Sequence, residues 1–130
     1  MEILSSRVIL RPTDYEKTLA FYRDVLELAI AREYPGGTVF FAGQSLIEVA
    51  GHAGPATAFG GALWLQVRNL AHTHAELTAR GATIVQDPAL QPWGLLEMWV
   101  HDPDGTSIVF VEVPAAHPLR RDLRKPGDHA

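Results

Sequence analysis

Residues 7–26, RVILRPTDYEKTLAFYRDVL, decide the fold because they join a strand pattern to a helix pattern. Apolar and polar residues alternate over residues 3–11, which is typical of a half-buried strand. Thr13 is predicted to cap the following helix, with Glu16 completing a capping box. Apolar residues then recur at helical spacing, which predicts a helix over residues 14–26. They are Leu19, Phe21, Tyr22, Val25 and Leu26.

Three further strands are predicted after this helix, with glycine-containing turns between them. They comprise residues 28–33, 38–41 and 45–50, so the first half has the order β-α-β-β-β. The next eleven residues, GHAGPATAFGG, predict either a flexible connector or a loop over a site. The pattern then repeats around a helix that Asn69 caps and Gly81 ends. Its other segments are strands at residues 62–67, 82–85, 96–101 and 106–113, and a proline-containing loop at residues 87–94.

The repeat predicts the architecture. Seven positions separate Arg7 from Asp14 in the first half and Ala62 from Asn69 in the second, so a strand and a helix cap recur together. The predicted fold class is α+β, with two tandem βαβββ modules that form a cupped mixed sheet with the helices on its outer face. The modules are residues 3–50 and 62–113 of a single domain (residues 1–113), joined by residues 51–61 and followed by a polar tail, residues 114–130.

Composition limits the classes of function. The chain of 130 residues is 47% apolar and 20% charged, which is ordinary for a globular domain with its own core. Its net charge of −4 argues against a nucleic-acid partner. The absence of cysteine excludes disulfides and thiolate sites. Residues 1–10 do not have the pattern of a signal peptide, and no apolar run approaches ~20 residues, so we expect a cytoplasmic protein without membrane contact.

Two motifs carry a resemblance to a known family. Residues 13–26 resemble the first helix of the vicinal oxygen chelate superfamily, and Asp102-Pro103-Asp104-Gly105 before a last apolar strand resembles its other hallmark. Pro92-Trp93-Gly94 is similar to the bleomycin-resistance branch. The resemblance covers residues 3–113 and implies the glyoxalase/bleomycin-resistance fold. Members include metal-dependent lyases, epimerases, ring-cleaving dioxygenases, antibiotic-inactivating thiol transferases and non-catalytic drug-sequestering proteins, so the fold leaves function open.

The resemblance also implies where a metal would bind. Members that are metalloenzymes carry His, Gln or Glu at one position on the first strand and one on the last strand of each half. These positions fall on Arg7, Glu48, Ala62 and Val109. A guanidinium is permanently cationic, and alanine and valine have no donor atom, so Glu48 is the only possible ligand. We therefore expect neither a metal nor another cofactor.

Strand alternation assigns side chains to two faces of each sheet. The face against the helices is predicted to be wholly apolar and comprises Val8, Leu10, Ile47, Val49, Leu63, Leu65, Ile108 and Phe110. The other face is predicted to line a cavity and comprises Arg7, Ile9, Arg11, Leu46, Glu48, Ala50, Ala62, Trp64, Gln66, Ser107, Val109 and Val111. In residues 96–101, Glu97, Trp99 and His101 are assigned to the cavity and Met98 and Val100 to the core.

This cavity is predicted to bind an aromatic or partly hydrophobic molecule. Trp64 and Trp99 would stack on a flat ligand, and Trp93 would do so at the rim. Arg7 would orient a carboxylate or carbonyl group, and Glu48 would accept a hydrogen bond or meet a cationic group. The candidate ligand-binding residues are Arg7, Ile9, Glu48, Trp64, Gln66, Trp93, Trp99, His101 and Val109.

Structural interpretations compete with these roles. Arg7 and Glu48 lie on neighbouring strands of the implied fold and would also pair with each other. Trp64 would alternatively fill a closed core, and Trp93 would be a packing residue of its loop. His101 is the one histidine placed near the cavity, as a candidate general base. The other five are predicted to be solvent-exposed: His52, His72, His74, His117 and His129.

Three functions are consistent with these predictions. The first is a non-catalytic protein that sequesters a natural product or antibiotic and confers resistance. The second is a metal-independent isomerase, cyclase or lyase with Glu48 or His101 as base and Arg7 stabilising negative charge. The third is a regulatory ligand-binding module. A homodimer is expected from the resemblance, with modules swapped or unswapped between the two chains.

Overall fold

Eight strands form two four-stranded sheets in a computed structural model of the chain, which describes residues 1–51 and 56–120. The first sheet holds β1 (Val8–Leu10), β2 (Ile30–Tyr34), β3 (Gly37–Ala42) and β4 (Ser45–Ala50). The second holds β5 (Ala62–Gln66), β6 (Thr83–Leu90), β7 (Leu96–His101) and β8 (Ser107–Glu112). A short 3₁₀ turn, Pro118–Arg120, follows the last strand.

The two sheets have the same topology. Their strand orders are β1-β4-β3-β2 and β5-β8-β7-β6. In each, the first strand pairs in parallel with the last, and the remaining pairs are antiparallel. A parallel pair requires a crossover connection, which the helix after each first strand supplies. The predicted α+β fold of two tandem βαβββ modules is confirmed.

Both helices begin at an acidic or amide side chain that satisfies a free backbone N–H. Helix α1 (Tyr15–Ala20) continues as a π-helical segment, Phe21–Val25, and helix α2 spans Leu70–Ala79. The Asp14 carboxylate accepts the N–H of the third residue of α1, and the Asn69 amide oxygen does the same in α2. The seven-residue strand-to-cap repeat is therefore real. Among the described residues, neither helix has the length and apolar character needed to span a bilayer.

The prediction that Thr13 is the helix cap is wrong. Asp14 occupies that position, which places Glu16 second in the helix and excludes the predicted capping box. The backbone N–H of Thr13 instead donates to Asp104 Oδ1 of the second module, at 3.0 Å. The seven-residue repeat indicates Asp14 and the capping-box pattern indicates Thr13, and the structure agrees with the repeat.

Two predicted strand boundaries are also wrong. The first strand begins at Val8, and the alternating residues before it include Ile3 and Leu4, which are exposed and outside any strand. Strand β6 continues through Pro88, where a loop was predicted. A proline lacks the N–H that a central strand must donate, but β6 lies at the edge of its sheet, where that donor is dispensable.

The described part of the predicted connector is tied to the first module. The backbone N–H of Thr57 donates to the carbonyl of Arg11 at 3.1 Å and forms an isolated antiparallel bridge with it. The predicted connector, residues 51–61, also includes residues 52–55, which lie outside the described residues. The predicted polar tail, residues 114–130, includes residues 121–130, which lie outside them as well.

One hydrophobic cluster contains residues of both sheets and both helices. All eight side chains predicted to face the helices belong to it or pack against it. Helix residues Phe21, Tyr22, Leu70 and Leu77 fill the same cluster, as do Met98 and Val100 of β7. The two modules therefore share a core, and the opposite face of each sheet is turned away from it.

A buried hydrogen bond joins the modules inside this core. Tyr22 is 0% exposed, and its hydroxyl donates to Asp102 Oδ2 at 2.8 Å. Burial is the largest cause of a raised pKa of Tyr22, and the negative charge of Asp102 is the next largest. The phenol therefore stays protonated. The other carboxylate oxygen accepts the N–H groups of Asp104 and Thr106, each at 2.9 Å. The Asp-Pro-Asp-Gly turn is therefore an anchor for the first helix.

Replacing Tyr22 with phenylalanine is expected to lower the free energy of unfolding by about 1–3 kcal/mol, because Asp102 Oδ2 then stays buried without its donor. Urea denaturation measures this change, with an unchanged denaturant slope. The matched control is Tyr15→Phe, since no described residue forms a hydrogen bond with that hydroxyl. Equal losses in the two variants would contradict the anchoring role.

Candidate functional site

The candidate site lies on the face of each sheet that is turned away from the helices, called here the open face. On the second sheet, Val109 and Val111 of β8 form a separate cluster with Leu95 and Val113, against which Trp99 packs. On the first sheet, the side chain of Ile9 is 51% exposed. The predicted assignment of side chains to two faces agrees with this division.

Glu48 is the centre of the open face of the first sheet. It is only 8% exposed, on β4. Arg7 Nη1 donates to its Oε1 at 2.8 Å, and the Tyr34 hydroxyl donates to its Oε2. The interpretation that Arg7 and Glu48 pair with each other is thus confirmed. Both oxygens of the carboxylate are bound, which disfavours Glu48 as a general base, although its catalytic role stays a prediction.

Tyr34 is not among the predicted site residues, and a glycine opposite it allows its side chain to contact Glu48. Gly37 is the cross-strand partner of Tyr34, and a Cβ atom at that position would overlap the phenol ring of Tyr34. The phenol ring therefore lies over the bare glycine backbone. Burial raises the pKa of Tyr34 to about 12, and the hydrogen bond and charge of Glu48 act in the same direction. The Tyr34 hydroxyl is therefore protonated at neutral pH and acts as a hydrogen-bond donor to Glu48.

The four metal positions implied by the resemblance do not fit a divalent ion. Arg7 is cationic and already pairs with Glu48, while Ala62 and Val109 offer no donor atom. Within residues 1–51 and 56–120, no three His, Cys, Asp or Glu side chains come together in an arrangement that could hold a metal. The chemistry of these residues is therefore that of an ion pair beside an apolar surface.

The open face of the second sheet consists of three rows of side chains, each crossing β5, β8 and β7 in register. The middle row is aromatic and apolar, with Trp64 and Trp99 on either side of Val109. Trp64 is 48% exposed, which contradicts the interpretation that it fills a closed core. The two outer rows are Ala62–Ser107–His101 and Gln66–Val111–Glu97.

The two outer rows of the second open face bring predicted site residues next to Glu97, which was not predicted to belong to the site. Gln66 is exposed, and His101 is half-buried without a hydrogen bond to any described residue. Glu97, which was assigned to the cavity but not to the candidate site, is only 6% exposed. The sequence did contain a signal for it, since it is the single acidic residue between apolar neighbours in β7. Arg7, Ile9 and Glu48 lie on the other sheet.

Trp93 lies on the loop before β7 and is 58% exposed. Its indole N–H donates to Glu97 Oε2 at 2.7 Å. Its backbone carbonyl is 3.0 Å from His117 Nε2, so the residues after β8 hold this loop. The indole is therefore positioned at the edge of the second open face, where the rim residue was predicted.

The predictions for the other histidines have mixed outcomes. His72 is exposed, as predicted. His74 and His117 are half-buried, so the prediction that they are solvent-exposed is wrong for both. His74 Nε2 lies 3.5 Å from an Asp87 oxygen, and His117 is held by the Trp93 loop. His52 and His129 lie outside the described residues.

Comparison with known proteins agrees with the two-module architecture. The model of the Glyoxalase/Bleomycin resistance protein/Dioxygenase superfamily matches residues 5–110, so the chain belongs to this superfamily. No curated protein sequence matches the chain significantly.

Several solved structures have the same fold. A member of this superfamily from Sphaerobacter thermophilus DSM 20745 is 24% identical, with a TM-score of 0.72, and the match covers 86% of this chain and 98% of that one. TioX from Micromonospora sp. ML1 is also 24% identical, with a TM-score of 0.68 and coverages of 85% and 97%. Lactoylglutathione lyase from Agrobacterium tumefaciens is 19% identical, with a TM-score of 0.65 and coverages of 85% and 92%. At these identities the likeness concerns the fold alone.

The raised pKa of Tyr34 gives a pH-dependence that can be measured. The folded protein keeps this phenol protonated up to about pH 12, whereas an unperturbed tyrosine ionises at pH 10.0. The unfolded chain therefore releases its proton first, and the stability contributed by Tyr34 is complete below pH 10 and lost towards pH 12. Ultraviolet titration should show a tyrosinate step near pH 12 that Tyr34→Phe removes.

The variant Glu48→Gln, which loses the charge but keeps an acceptor oxygen, is expected to move this step towards pH 10. Glu33→Gln, which removes the same charge from an exposed position on β2, serves as the control and should leave the step in place. A Tyr34 step at pH 10 in the wild-type protein would contradict the contact with Glu48.

Proposed function

We propose that this protein binds a flat, partly apolar natural product or antibiotic on its second open face and holds it without chemical change, which confers resistance. The observation that carries this proposal is the row Trp64–Val109–Trp99, in which two indoles flank a buried valine. An exposed tryptophan beside apolar side chains is an unfavourable surface in water, and a planar ligand would cover it.

The spacing of the row supports a planar ligand. Trp64 and Trp99 lie on the two strands that flank β8, so their backbones are about 10 Å apart. A ring stacked between two indoles needs about 7 Å between their planes, since aromatic carbons approach to about 3.5 Å. Side chains that lean towards each other can provide this gap. Val109 would form the floor of the site.

The donor set supports binding over turnover. Three of the four metal positions of the family lack a donor, and the fourth, Glu48, is bound by Arg7 and Tyr34. The family to which the chain belongs includes bleomycin-resistance proteins. His101 stays a candidate base for the catalytic alternative, but no described residue orients its imidazole by a hydrogen bond.

We further propose that two copies complete the site. Each open face leaves a large apolar side chain accessible at its first strand, Ile9 on β1 and Trp64 on β5. Water-exposed side chains of this size favour burial against a partner, and a homodimer would cover them around a shared cavity. This arrangement would also bring Arg7 and Glu48 of one copy towards the aromatic row of the other.

Ligand binding can be tested by titrating tryptophan fluorescence with a panel of flat aromatic antibiotics. We expect saturable quenching by at least one of them, recovery of the ligand with unchanged mass, and no stoichiometric divalent metal by elemental analysis. Trp64→Ala should weaken binding about tenfold through the loss of one stacking surface. The control Leu90→Ala removes an exposed apolar side chain outside the aromatic row and should bind normally. A chemically altered ligand would contradict the proposal.

Sedimentation equilibrium tests the assembly. The expected mass is twice the chain mass of 14.2 kDa at micromolar concentrations. Ile9→Asp should shift the protein to the monomer, because a charge would be buried in the interface. Leu119→Asp, at a similarly exposed position outside both sheets, should remain dimeric. A monomeric wild-type protein would show that one chain forms the site alone.

A further inference from the structure

Among the described residues, three carboxylates are nearly buried, and they differ in how far their hydrogen-bonding capacity is met. Asp102 accepts three hydrogen bonds, from Tyr22 and two backbone N–H groups. Glu48 is bound by a guanidinium and a phenol. Glu97 accepts one hydrogen bond, from the neutral indole of Trp93. The first two are explained by the fold, whereas the third is not.

Glu97 is therefore an unusual group. An ionised carboxylate can accept about four hydrogen bonds, and burying its charge is unfavourable unless a cation or several donors lie beside it. Among the side chains of residues 1–51 and 56–119, no lysine, arginine or histidine pairs with Glu97, and no donor other than Trp93 reaches it. A partner for its charge would therefore come from outside these residues.

Its position indicates what that partner is. Glu97 is two residues from Trp99 on the same face of β7, so its row is about 7 Å from the aromatic row. Trp93 lies beside it with more than half of its surface exposed. A carboxylate among indoles is the environment that binds an ammonium group, through an ion pair and cation–π contacts.

We infer that the ligand carries a protonated amine, which pairs with Glu97 while the flat ring of the ligand stacks on Trp64 and Trp99. This inference rests on the proposed ligand binding at the second open face and specifies its chemistry. The amine and the ring would be separated by about 7 Å, the distance between the two rows. Trp93 holds the carboxylate in place by its hydrogen bond and covers the amine from the loop side.

Two fluorescent probes test this inference. Dansylcadaverine has a flat naphthalene ring and a five-carbon arm ending in an ammonium group, and N-pentyl dansylamide is the same molecule without the amine. Since a hydrogen bond to a charged partner is worth at least a factor of about ten in affinity, the wild-type protein should bind the cationic probe at least tenfold more tightly. Glu97→Gln should reduce this ratio to about one while the neutral probe binds as before.

The matched control is Glu33→Gln, which removes the same charge from an exposed position on β2 and should keep the wild-type ratio. Trp93→Phe gives a second measurement that does not alter the carboxylate. It removes the indole N–H that holds the carboxylate and leaves a weaker aromatic face, so the ratio should fall below the wild-type value but stay above that of Glu97→Gln. A ratio equal to the wild-type value in Trp93→Phe would count against the role of Trp93 in the inference.

The other outcomes separate the inference from the proposed function. Equal affinities of the two probes for the wild-type protein would overturn the amine and leave aromatic binding intact. An unchanged ratio in Glu97→Gln would place the amine elsewhere and also overturn it. If neither probe binds, both the inference and the proposed aromatic site are wrong. Weaker self-association of Glu97→Gln, with equal probe affinities, would show that a second copy supplies the cation.

Discussion

The hydroxyl of Tyr22 and the carboxylate of Asp102 meet across 80 residues of chain, inside a core that excludes water. Neither group can be buried there alone, because an unpaired phenol or carboxylate loses its hydration without compensation. Their contact fixes the first helix against the last turn of the second module. Once this is fixed, both sheets must present their apolar strand faces to one shared core, and both open faces must point away from it.

The two open faces differ in how far their polar side chains are paired with one another. On the first, Arg7 and Tyr34 neutralise and hydrogen-bond Glu48, so the polar groups there satisfy one another. On the second, an aromatic row lies next to Glu97, a carboxylate with a single neutral donor. The two open faces therefore differ in one property: only on the second is a nearly buried carboxylate left with a single neutral donor among the described residues.

Much of the fold could be predicted because its determinants are local. Strand alternation assigned Ile108 and Phe110 to the core, and the spacing between Ala62 and Asn69 located the second helix. The errors have different causes. The cap was misplaced by one residue because Thr13 and Asp14 are both good capping residues, and Asp14 takes the position. Strand β6 passes Pro88 because the strand lies at a sheet edge, which only the assembled sheet determines.

The sequence predicted some contacts of the candidate site and missed others. The pairing of Arg7 with Glu48 followed from neighbouring strands, and the exposure of Trp64 fitted its assigned face. Tyr34 was missed because its role depends on cross-strand register opposite a glycine, which no sequence period reveals. The hydrogen bond between Glu97 and Trp93 depends on how one loop folds back onto β7. Register and loop geometry are properties of the assembled sheet.

Pro88 has a consequence for how copies of this protein can meet. It removes an N–H donor from β6, the outermost strand of the second sheet, and the register of β6 with β7 is irregular on both sides of Gln86. A continuous ladder of hydrogen bonds cannot be extended across such an edge, so open-ended, strand-by-strand growth towards fibrils is blocked there. At this edge, association is left to side chains, which favours contacts of defined extent over open-ended strand pairing.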